Sequence, residues 1–517
     1  MDRRYPIGIQ TFETVRKEGY CYVDKTALVH QLVQNGKYYF LSRPRRFGKS
    51  LLISTLEAYF QGKKELFDGL ALEHLEREWT EYPVLHLDLN AQKYDSPQAL
   101  EDVLNYSLSQ WEAIYGTNPA EKSPSLRFQG IIQRAAERCG RNVVVLVDEY
   151  DKPLLQALGN EPLLTAYRQQ LKAFYGVLKS KDAYLRFALL TGVTKFSKVS
   201  VFSDLNNLQD ISMSPRFATL CGITEQELYD VFEEDIRLLG EHNGMSEEET
   251  RKALKDSYDG YHFTANCPDL YNPFSLLNAF SSKELGSYWF ETGTPTFLIQ
   301  LLKQGHYNLY NLYHEQVSKD MLGDIDNVGG NPLPMLYQSG YLTLKGYDRE
   351  FGTYTLGFPN REVAEGFNRH LLLGYAKVPS GNPTFQIQNF VLEVRRGDTD
   401  AFLQRLQSFF ADTPYELARD LELHYQNVLF IVFKLLGFYV QVEYHTSRGR
   451  IDLVLKTADY IYVMEFKLEG TAEEALQQIE DKHYALPFAT DQRRVYKVGV
   501  NFSKDRRNIE KWLVKEA

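Results

Sequence analysis

Cysteine is scarce in this sequence, and its few occurrences lie far apart. The 517 residues include four cysteines, Cys21, Cys139, Cys221 and Cys267. No two of them form a C-x-x-C pair, so the sequence predicts neither a disulfide framework nor a zinc site. The histidines lack the H-E-x-x-H spacing of zinc hydrolases. This pattern is typical of a protein of the reducing cytoplasm.

Long apolar runs are missing as well. The longest, Val428–Val440, has 13 residues and is interrupted by Lys434, which makes it too short to cross a bilayer. The segment Met1–Gln10 contains two arginines with no apolar core behind them, so we expect no signal peptide. The sequence therefore predicts a cytoplasmic location and no membrane partner.

Positive charge is in deficit, with a formal net charge of −10. That balance argues against a general electrostatic coating of nucleic acid. The segment Asp491–Ala517 is an exception, because it holds eight basic residues against four acidic ones. It is either a solvated face or a contact for a polyanion. A hydrophobic fraction of 44% indicates a folded chain, and its length predicts roughly three or four domains.

A strand, a Gly-Lys-Ser turn and a helix follow one another early in the chain. Tyr38–Leu41 is predicted as a buried strand and Leu51–Phe60 as a helix, with Phe47-Gly48-Lys49-Ser50 between them. This order is the one that a phosphate-binding P-loop requires. Position 43, where G-x-x-x-x-G-K-[ST] has its first glycine, holds Arg43. An ordinary loop–helix junction is the alternative interpretation.

A second segment favours the P-loop interpretation. Val143–Val147 is an uninterrupted apolar run followed by Asp148 and Glu149. Strands buried on both faces have this composition, and catalytic groups of parallel sheets lie at their carboxyl ends. Asp148 would hold Mg²⁺ through water, and Glu149 would act as the general base toward the attacking water. The two motifs in this order predict a site for ATP and Mg²⁺.

In that site Lys49 would reach the β- and γ-phosphates, and the Ser50 hydroxyl would hold Mg²⁺. Ser50 and Asp148 are thus the predicted metal ligands. The full set of predicted nucleotide-binding residues is Arg45, Arg46, Phe47, Gly48, Lys49, Ser50, Leu51 and Asp148. Thr191 and Thr194 are candidate γ-phosphate sensors, with a structural turn as the alternative. Arg216 is a candidate arginine finger at the interface of a homo-oligomer.

The pattern of elements divides the chain into three predicted domains. Residues 1–225 alternate strands and helices, as an α/β sheet does. Residues 226–378 are mainly helical, and residues 384–517 form a compact unit rich in strands. The Pro/Gly-containing segment Val378–Pro383 is the second predicted boundary.

Within the middle domain, one helix precedes two short strands. The predicted elements are the helix Leu333–Gly340 and the strands Tyr341–Leu344 and Tyr354–Phe358. This order fits either a winged-helix unit or a structural lid without contact to nucleic acid, and we favour the lid.

A second cluster of chemistry-bearing residues lies near the C-terminus. Asp452 interrupts one apolar strand, and Glu465 and Lys467 lie in the next. Residues i and i+2 of a strand point to the same face, so Glu465 and Lys467 project together. Two carboxylates form a hard-oxygen site for Mg²⁺, and a nearby lysine can stabilise charge on a phosphodiester. A structural Glu465–Lys467 ion pair is the alternative.

Flanking helices offer further groups. Glu422, at the start of the predicted helix Glu422–Leu436, could supply another carboxylate. Gln478 and Lys482 lie four residues apart on the following helix, and hence on one face.

The arrangement of Asp452, Glu465-x-Lys467 and the flanking helices resembles the PD-(D/E)xK nuclease superfamily. The N-terminal two-thirds resembles an AAA-ATPase-like family of bacterial proteins that carry such a nuclease-like domain at the C-terminus. The matching segments are Pro6–Ile9, Tyr22–Thr26, Arg43–Ser50 and Val147–Pro153. In that family an arginine at the position of Arg43 is usual.

The resemblance implies a P-loop parallel sheet, a helical or winged-helix-like middle region and a C-terminal αβββαβ restriction-endonuclease-like domain. It also implies that ATP and Mg²⁺ bind at the first site, where Glu149 acts as the ATPase base. The C-terminal domain is expected to hold a separate, metal-dependent nuclease site. The implied nuclease residues are Glu422, Asp452, Glu465 and Lys467, of which Asp452 and Glu465 are the metal ligands.

The sequence therefore predicts an ATP-regulated, Mg²⁺-dependent phosphodiesterase acting on nucleic acid, with DNA favoured over RNA. The alternative is a signalling or scaffold ATPase whose nuclease-like domain binds nucleic acid or another partner without cutting it. The intact carboxylate–lysine set favours the enzyme, whereas the overall acidity favours the scaffold.

Overall fold

A computed structural model gives the fold. It describes residues 3–196, 201–202, 205, 207–292, 295–313, 315–323, 325, 331–376, 383–410, 421–437, 439–447, 450–468, 470–503 and 505–517. The predicted linker at Val378 and the four residues after it lie outside the described residues, as do Gly449 and Lys504.

The helices in chain order are α1 Phe12–Lys17, α2 Thr26–Asn35, α3 Lys49–Phe60, α4 Ala71–Leu75, α5 Pro97–Tyr115, α6 Pro124–Cys139, α7 Lys152–Gln156, α8 Glu161–Tyr175, α9 Val177–Ser180, α10 Glu225–Asn243, α11 Glu247–Tyr258, α12 Pro273–Ser282, α13 Thr296–Gln304, α14 Lys319–Leu322, α15 Leu333–Gln338, α16 Arg361–Tyr375, α17 Pro383–Arg396, α18 Thr399–Phe409, α19 Leu421–Leu436 and α20 Ala472–Asp481. The strands are β1 Tyr38–Ser42, β2 Val84–Asp88, β3 Val143–Asp148, β4 Leu185–Gly192, β5 Gln209–Asp210, β6 Ile223–Thr224, β7 Leu270–Tyr271, β8 Gln316–Ser318, β9 Thr343–Asp348, β10 Thr353–Gly357, β11 Gln441–Ser447, β12 Arg450–Lys456, β13 Tyr460–Lys467, β14 Arg494–Ser503 and β15 Asn508–Glu516.

The chain forms two compact units. The first, here called the N-unit, contains Met1–Trp289 and Gln316–Arg361; the second, the C-unit, contains Phe290–Glu315 and Glu362–Ala517. These units follow the density of contacts inside each. The three-domain division made from the sequence remains a prediction.

A five-stranded parallel sheet forms the centre of the N-unit, in the order β2-β3-β4-β1-β5. Every residue of β3 is buried, as expected for a strand covered by helices on both faces. The predicted strands Tyr38–Leu41 and Val143–Val147 are confirmed, and each is one residue longer at its C-terminal end. The order places β4 between β1 and β3, so three strand ends converge at the carboxyl edge of the sheet.

The helical and acidic segment predicted after residue 224 is also present. Both α10 and α11 begin with a capping box, formed by Thr224 with Glu227 and by Ser246 with Glu249. Each box satisfies otherwise unpaired N–H groups of the first helical turn. Phe232, Ile236 and Leu239 of α10 are buried in a core shared with α11 and α12.

A small antiparallel sheet has the order β8-β10-β9, in which β9 and β10 follow α15 and β8 precedes it. The predicted helix and two strands are therefore present, but the first strand begins at Thr343 and not at Tyr341. The N–H groups of Tyr341 and Leu342 both donate to the Leu336 carbonyl and close the C-terminus of α15. These two N–H groups are therefore not available to pair with the neighbouring strand β10.

The C-unit contains a second five-stranded sheet, in the order β11-β12-β13-β14-β15. The strands β13 and β14 are parallel, and the other neighbours are antiparallel. With α19 before β11 and α20 between β13 and β14, the order is αβββαβ followed by one more strand. The predicted α/β multi-domain fold, with a P-loop-type parallel sheet, a helical middle and a nuclease-like C-terminal sheet, is confirmed. Among the described residues, no helix is long and apolar enough to cross a membrane.

Candidate functional site

The loop between β1 and α3 has the form of a phosphate-binding turn. Gly48 precedes α3 with φ of 90°, in the left-handed region that favours glycine. Lys49 is the first residue of the helix, and its side chain is only 4% exposed. Its Nζ donates to the carbonyls of Arg43 and Pro44 at 3.2 and 3.4 Å. It also lies 3.4 Å from Oε1 of Glu149, so the lysine joins the loop to the end of β3.

Arg43 stands where the P-loop motif has its first glycine, and its side chain is buried. Its guanidinium donates to the Ser212 carbonyl at 2.7 Å, and at longer range to the carbonyls of Phe217 and Ala218. It also lies 4.1 Å from the centre of the Phe263 ring. Burial lowers the pKa of this guanidinium. Arg43 therefore anchors the loop to the segment after β5.

The other loop residues divide between the surface and the core. Arg45 and Arg46 are exposed, and Arg46 lies 4.7 Å from the centre of the Phe274 ring. Phe47 is buried and packs edge-on against Tyr261 and Phe263, with ring centres 4.7 and 5.5 Å away. Its side chain anchors the loop, so a phosphate could meet only its backbone.

Ser50 and Leu51 lie in the first turn of α3, and both are half-buried. Leu51 lines the apolar pocket described below. The predicted role of the Ser50 hydroxyl toward Mg²⁺ remains a proposal.

At the end of β3, Asp148 and Glu149 have different environments. Asp148 is buried, and its Oδ1 accepts a hydrogen bond from the Thr191 hydroxyl at 2.6 Å. Glu149 has φ of 52°, a conformation that costs a non-glycine residue about 1–3 kcal/mol and is common at active sites. This turn directs the Glu149 carboxylate toward Lys49.

Asp151 connects the same edge to the end of β4. It is fully buried and accepts hydrogen bonds from the Thr194 hydroxyl and from the N–H groups of Val193 and Thr194. Burial, followed by the charge of Glu149, raises the pKa of Asp151 to about 6. Of the two candidate sensors, Thr194 is held by Asp151, which favours the structural alternative for it. Thr191 contacts the carboxylate predicted to hold the metal.

One acidic residue of this edge was not singled out from the sequence. Asp88 ends β2 and lies directly beside Asp148 in the parallel register. Burial raises the pKa of Asp88, and the charge of Asp148 raises it further. The hydrogen bond from the N–H of Asn90 has the opposite effect. An aspartate near the end of an apolar segment was the available signal, since β2 and β3 end at the same edge.

An apolar pocket of about 100 Å³ lies beside the loop. Gly48 and Leu51 form one wall, and the other walls include Val23, Ile223 and Leu277. Most of the residues that line the pocket are apolar, which suits an aromatic base. These lining residues come from four distant parts of the chain, so no local sequence pattern could have identified them.

Two ionic contacts fasten the N-terminal segment around this pocket. Lys25 Nζ lies 2.6 Å from both carboxylate oxygens of Glu227. Arg3 and Tyr5 both contact the buried carboxylate of Asp235. The N-terminal segment is thereby fixed to α10.

Arg216 is exposed, and its guanidinium lies 5.5 Å from the centre of the Phe217 ring. This position leaves the predicted role as an arginine finger a proposal.

In the C-unit, β12 and β13 bring three of the four predicted nuclease residues together. Asp452 lies directly opposite Glu465 in the antiparallel register. Glu465 is fully buried, and Lys467 Nζ lies 3.2 Å from its Oε1. Burial, and then the neighbouring Asp452 carboxylate, raises the pKa of Glu465 to about 8 against the opposing effect of Lys467. The predicted common face of Glu465 and Lys467 is therefore present.

Residues next to this cluster fix its orientation. The Lys467 ammonium donates to Oε1 of Gln478 on α20, so the helix that was predicted to present this glutamine does contact the lysine. Lys482 follows the last residue of α20 and is exposed. On the opposite face of β13, Phe466 packs against Phe433 of α19, with ring centres 5.9 Å apart.

Glu422 lies in the first turn of α19 and accepts a hydrogen bond from Gln426 at 3.2 Å. In the part of the chain that the structure describes, no group of three or more His, Cys, Asp or Glu side chains is placed to hold a metal ion. The structure therefore brings Asp452 and Glu465 together but does not add Glu422 to them. Its predicted catalytic role remains a proposal.

The basic C-terminal segment is largely neutralised by nearby acids. Salt bridges join Arg493 to Asp491, Arg494 to Glu516, Lys497 and Lys515 to Glu480, and Lys511 to Glu473. Of the two interpretations of this segment, these pairs favour the solvated face.

Comparisons with known proteins match two family models to this chain, one over each candidate site. Residues 6–202 match a family model described as "Predicted AAA-ATPase", and residues 420–512 match one described as "PD-(D/E)XK nuclease superfamily". A protein of Azotobacter chroococcum mcd 1, "Uncharacterized protein in vnfD 5'region", is 38% identical over 528 residues, covering 99% of both chains. The chain belongs to the AAA-ATPase-like family whose members carry a PD-(D/E)XK nuclease superfamily domain at the C-terminus.

Proposed function

We propose that this protein is an ATP-binding P-loop ATPase joined to a Mg²⁺-dependent nuclease, and that its nucleotide state regulates cleavage of nucleic acid. DNA is favoured over RNA as the substrate. The proposal includes a cytoplasmic location and a homo-oligomer in which Arg216 could reach a neighbouring nucleotide. The observation that carries it is the grouping of Asp452, Glu465 and Lys467 at one place on the second sheet.

The nucleotide site is supported by the geometry around Lys49. Lys49 is buried, and the loop before it ends at Gly48, the N-cap residue of α3. The N-terminus of a helix favours the binding of phosphate. The apolar pocket beside Leu51 would take the base. Ser50 and Asp148 are the residues that would hold Mg²⁺, and Glu149 would accept a proton from the attacking water.

The second site suits a divalent cation because it places two carboxylates side by side, Asp452 and the buried Glu465. In the described part of the chain, neither carboxylate oxygen of Glu465 accepts a well-aligned hydrogen bond. Buried carboxylates in that state are costly unless a cation compensates them. Asp452 and Glu465 would hold the ion, which when bound supplies a Lewis acid next to the scissile phosphate.

The protein groups divide the remaining work. Lys467 would stabilise the negative charge that develops on the phosphodiester, since its ammonium lies next to the carboxylate pair. Gln478 would orient Lys467 through their hydrogen bond. Glu465 must lose its proton before it can hold the cation, so its raised pKa makes the site sensitive to pH.

Nuclease assays with the full-length protein and Mg²⁺ test this function. Asp452→Asn should abolish cleavage and metal binding together, because it removes a ligand. Lys467→Ala should retain metal binding but slow cleavage, because lysine contributes charge and not coordination. Asp459→Asn is the matched control, because Asp459 is an exposed acid in the turn between β12 and β13.

A scaffold ATPase that binds nucleic acid or another partner without cutting it is the second candidate. It is favoured by the lack of a cluster of three or more potential metal ligands among the described residues, and by the neutralised basic segment. If the wild type, Asp452→Asn and Lys467→Ala cleave equally, the cleavage does not depend on this site. The scaffold candidate would then replace the nuclease.

The nucleotide site needs its own test. Lys49→Ala should abolish ATP binding measured by calorimetry, because it removes the ammonium aimed at the β- and γ-phosphates. Lys122→Ala, which changes an exposed lysine, is the control. Unchanged affinity in Lys49→Ala would refute the assignment.

A further inference from the structure

A short loop of the N-unit brings together a cysteine, a histidine and an aspartate that have no part in the proposed ATPase. It runs from His262 to Asp269, and backbone hydrogen bonds in both directions between Tyr261 and Leu270 close it. The hydroxyl of Thr343 fixes the backbone of His262. It accepts a hydrogen bond from the His262 N–H at 2.8 Å and donates one to the His262 carbonyl at 3.0 Å. The loop is thus held at its base.

Inside the loop, the imidazole lies between an acid and a thiol. His262 Nδ1 is 2.9 Å from Oδ1 of Asp269, and the imidazole lies close enough to the half-buried Cys267 to act on its ionisation. The thiol donates to the Thr264 carbonyl at 3.4 Å. When the sulfur is ionised, the backbone N–H groups of Phe263 and Thr264 are placed to stabilise it.

The charges around this group favour a thiolate–imidazolium pair. The bond to Asp269, assisted by Cys267, raises the pKa of His262 to about 10. Burial is the largest single effect on Cys267 and opposes its ionisation, but His262 and the backbone N–H groups of Phe263 and Thr264 together outweigh it, and the pKa of the thiol falls.

Groups from neighbouring elements also face this cluster. Lys255 and Lys345 act on Asp269 and lower its pKa after the larger effect of His262. Arg43 and Tyr337 lie within electrostatic range of Cys267. The other cysteines differ, because burial raises the pKa of Cys21 and Cys221 and Cys139 is exposed at the end of α6.

We propose that Cys267, held by His262 and Asp269, is a nucleophilic thiolate that exchanges with low-molecular-weight disulfides. The sulfur attacks one sulfur of the disulfide, and a mixed disulfide forms as the original S–S bond breaks. The other half leaves as a thiolate and takes a proton from solvent. One disulfide is consumed and one is formed, so the step needs no further oxidant.

The adduct has a consequence for the P-loop, and this part of the inference rests on the proposed ATP binding. Tyr261 and Phe263, at the base of the same loop, are the aromatic rings that hold Phe47. Phe263 also supports the Arg43 guanidinium. A group attached to the half-buried Cys267 must displace this loop, so the modified protein is expected to bind ATP several-fold more weakly.

The first experiment measures the reactivity of single thiols in the folded, full-length protein. Alkylation by iodoacetamide is followed by mass spectrometry between about pH 6 and pH 9, with Cys139 as the internal reference. An ordinary thiol loses about tenfold in rate for each pH unit below its pKa of ~8.5. The ratio of Cys267 to Cys139 rates should therefore rise steeply as the pH falls.

Asp269→Asn sharpens this test. It removes the charge that keeps His262 protonated, so the Cys267 profile should move up in pH toward that of Cys139. Continued protection of the buried Cys221 from alkylation shows that the variant is folded. A ratio that is constant with pH in the wild type, or a Cys267 profile that Asp269→Asn leaves in place, would overturn the proposal.

The second experiment uses glutathione disulfide. The wild type should gain one glutathionyl group at Cys267 and lose ATP affinity, and dithiothreitol should restore both. Cys267→Ser should keep its affinity throughout. Full affinity in the modified wild type would overturn the link to the P-loop. An absence of ATP binding before treatment would instead refute the proposed function, and the alkylation profiles would still decide the reactivity of Cys267.

Discussion

The ammonium of Lys49 and the carboxylate of Glu149 lie 3.4 Å apart, in a contact that joins the P-loop to the end of β3. Both side chains have roles in the proposed ATPase, and those roles require the contact to break. Lys49 must turn to the phosphates, and Glu149 must accept a proton from water. Nucleotide binding therefore competes with a contact inside the protein.

This competition makes Glu149→Gln informative. The substitution keeps the shape of the side chain but removes the base and the charge that holds Lys49. We expect ATP hydrolysis to fall at least about 100-fold, with ATP affinity equal to or tighter than that of the wild type. Calorimetry and phosphate release measure the two effects, with the exposed Glu161→Gln as control. Retained hydrolysis in Glu149→Gln would assign the base elsewhere.

Arg43 leads to a prediction that runs against the sequence motif. Arg43→Gly restores the first glycine of G-x-x-x-x-G-K-[ST], yet it should destabilise the protein. It leaves the buried carbonyls around Ser212 and Phe217 without their donor, and such groups cost about 1–3 kcal/mol each. Chemical denaturation should show a loss of that order, while the exposed Arg45→Gly should be nearly neutral. Equal stability together with tighter ATP binding would mean that Arg43 only obstructs the loop.

Features that depend on a few neighbouring residues could be predicted from the sequence. The β1–loop–α3 unit, the acidic end of β3 and the common face of Glu465 and Lys467 follow from periodicity over fewer than about ten residues. The start of β9 was predicted two residues too early, because Tyr341 and Leu342 close the end of α15.

Features that depend on long-range pairing could not be predicted. The contact of Thr191 with Asp148 exists because β4 lies between β1 and β3. No local pattern specifies that order. The buried role of Arg43 depends on carbonyls about 170 residues away in the chain. Glu422 was assigned to the acidic cluster from its place on the helix before the sheet, and its role stays a prediction.

Glu465 predicts a pH dependence for the C-unit. Its pKa of about 8 in the fold lies above the ordinary value of 4.5. Between these values the folded state keeps a proton that the unfolded state releases. The free energy of unfolding should therefore fall as the pH rises through this window and level off above it. Each pKa unit corresponds to about 1.4 kcal/mol.

Thermal unfolding in EDTA measures this effect. The wild type should lose melting temperature from about pH 5 to pH 8, and Glu465→Gln should remove most of that slope. Because metal binding requires the carboxylate, Mg²⁺ should raise the melting temperature more at pH 8 than at pH 5. Asp459→Asn should behave like the wild type. A slope that persists in Glu465→Gln would assign the titration to another group.

The last prediction concerns the proposed regulation of cleavage by nucleotide. If ATP at Lys49 changes the affinity of the protein for DNA, then DNA must change its affinity for ATP by the same factor. A coupling of ~1–3 kcal/mol corresponds to roughly a 5–150-fold change. The double variant Glu149→Gln, Asp452→Ala allows this to be measured at equilibrium, because one substitution prevents turnover and the other prevents cutting. ATP affinity should differ between the free and the DNA-saturated protein. Saturation must be shown first, because Asp452→Ala could also weaken DNA binding. The same measurement with Lys49→Ala should show no ATP binding in either state. Identical ATP affinities with and without saturating DNA would mean that the two sites work independently.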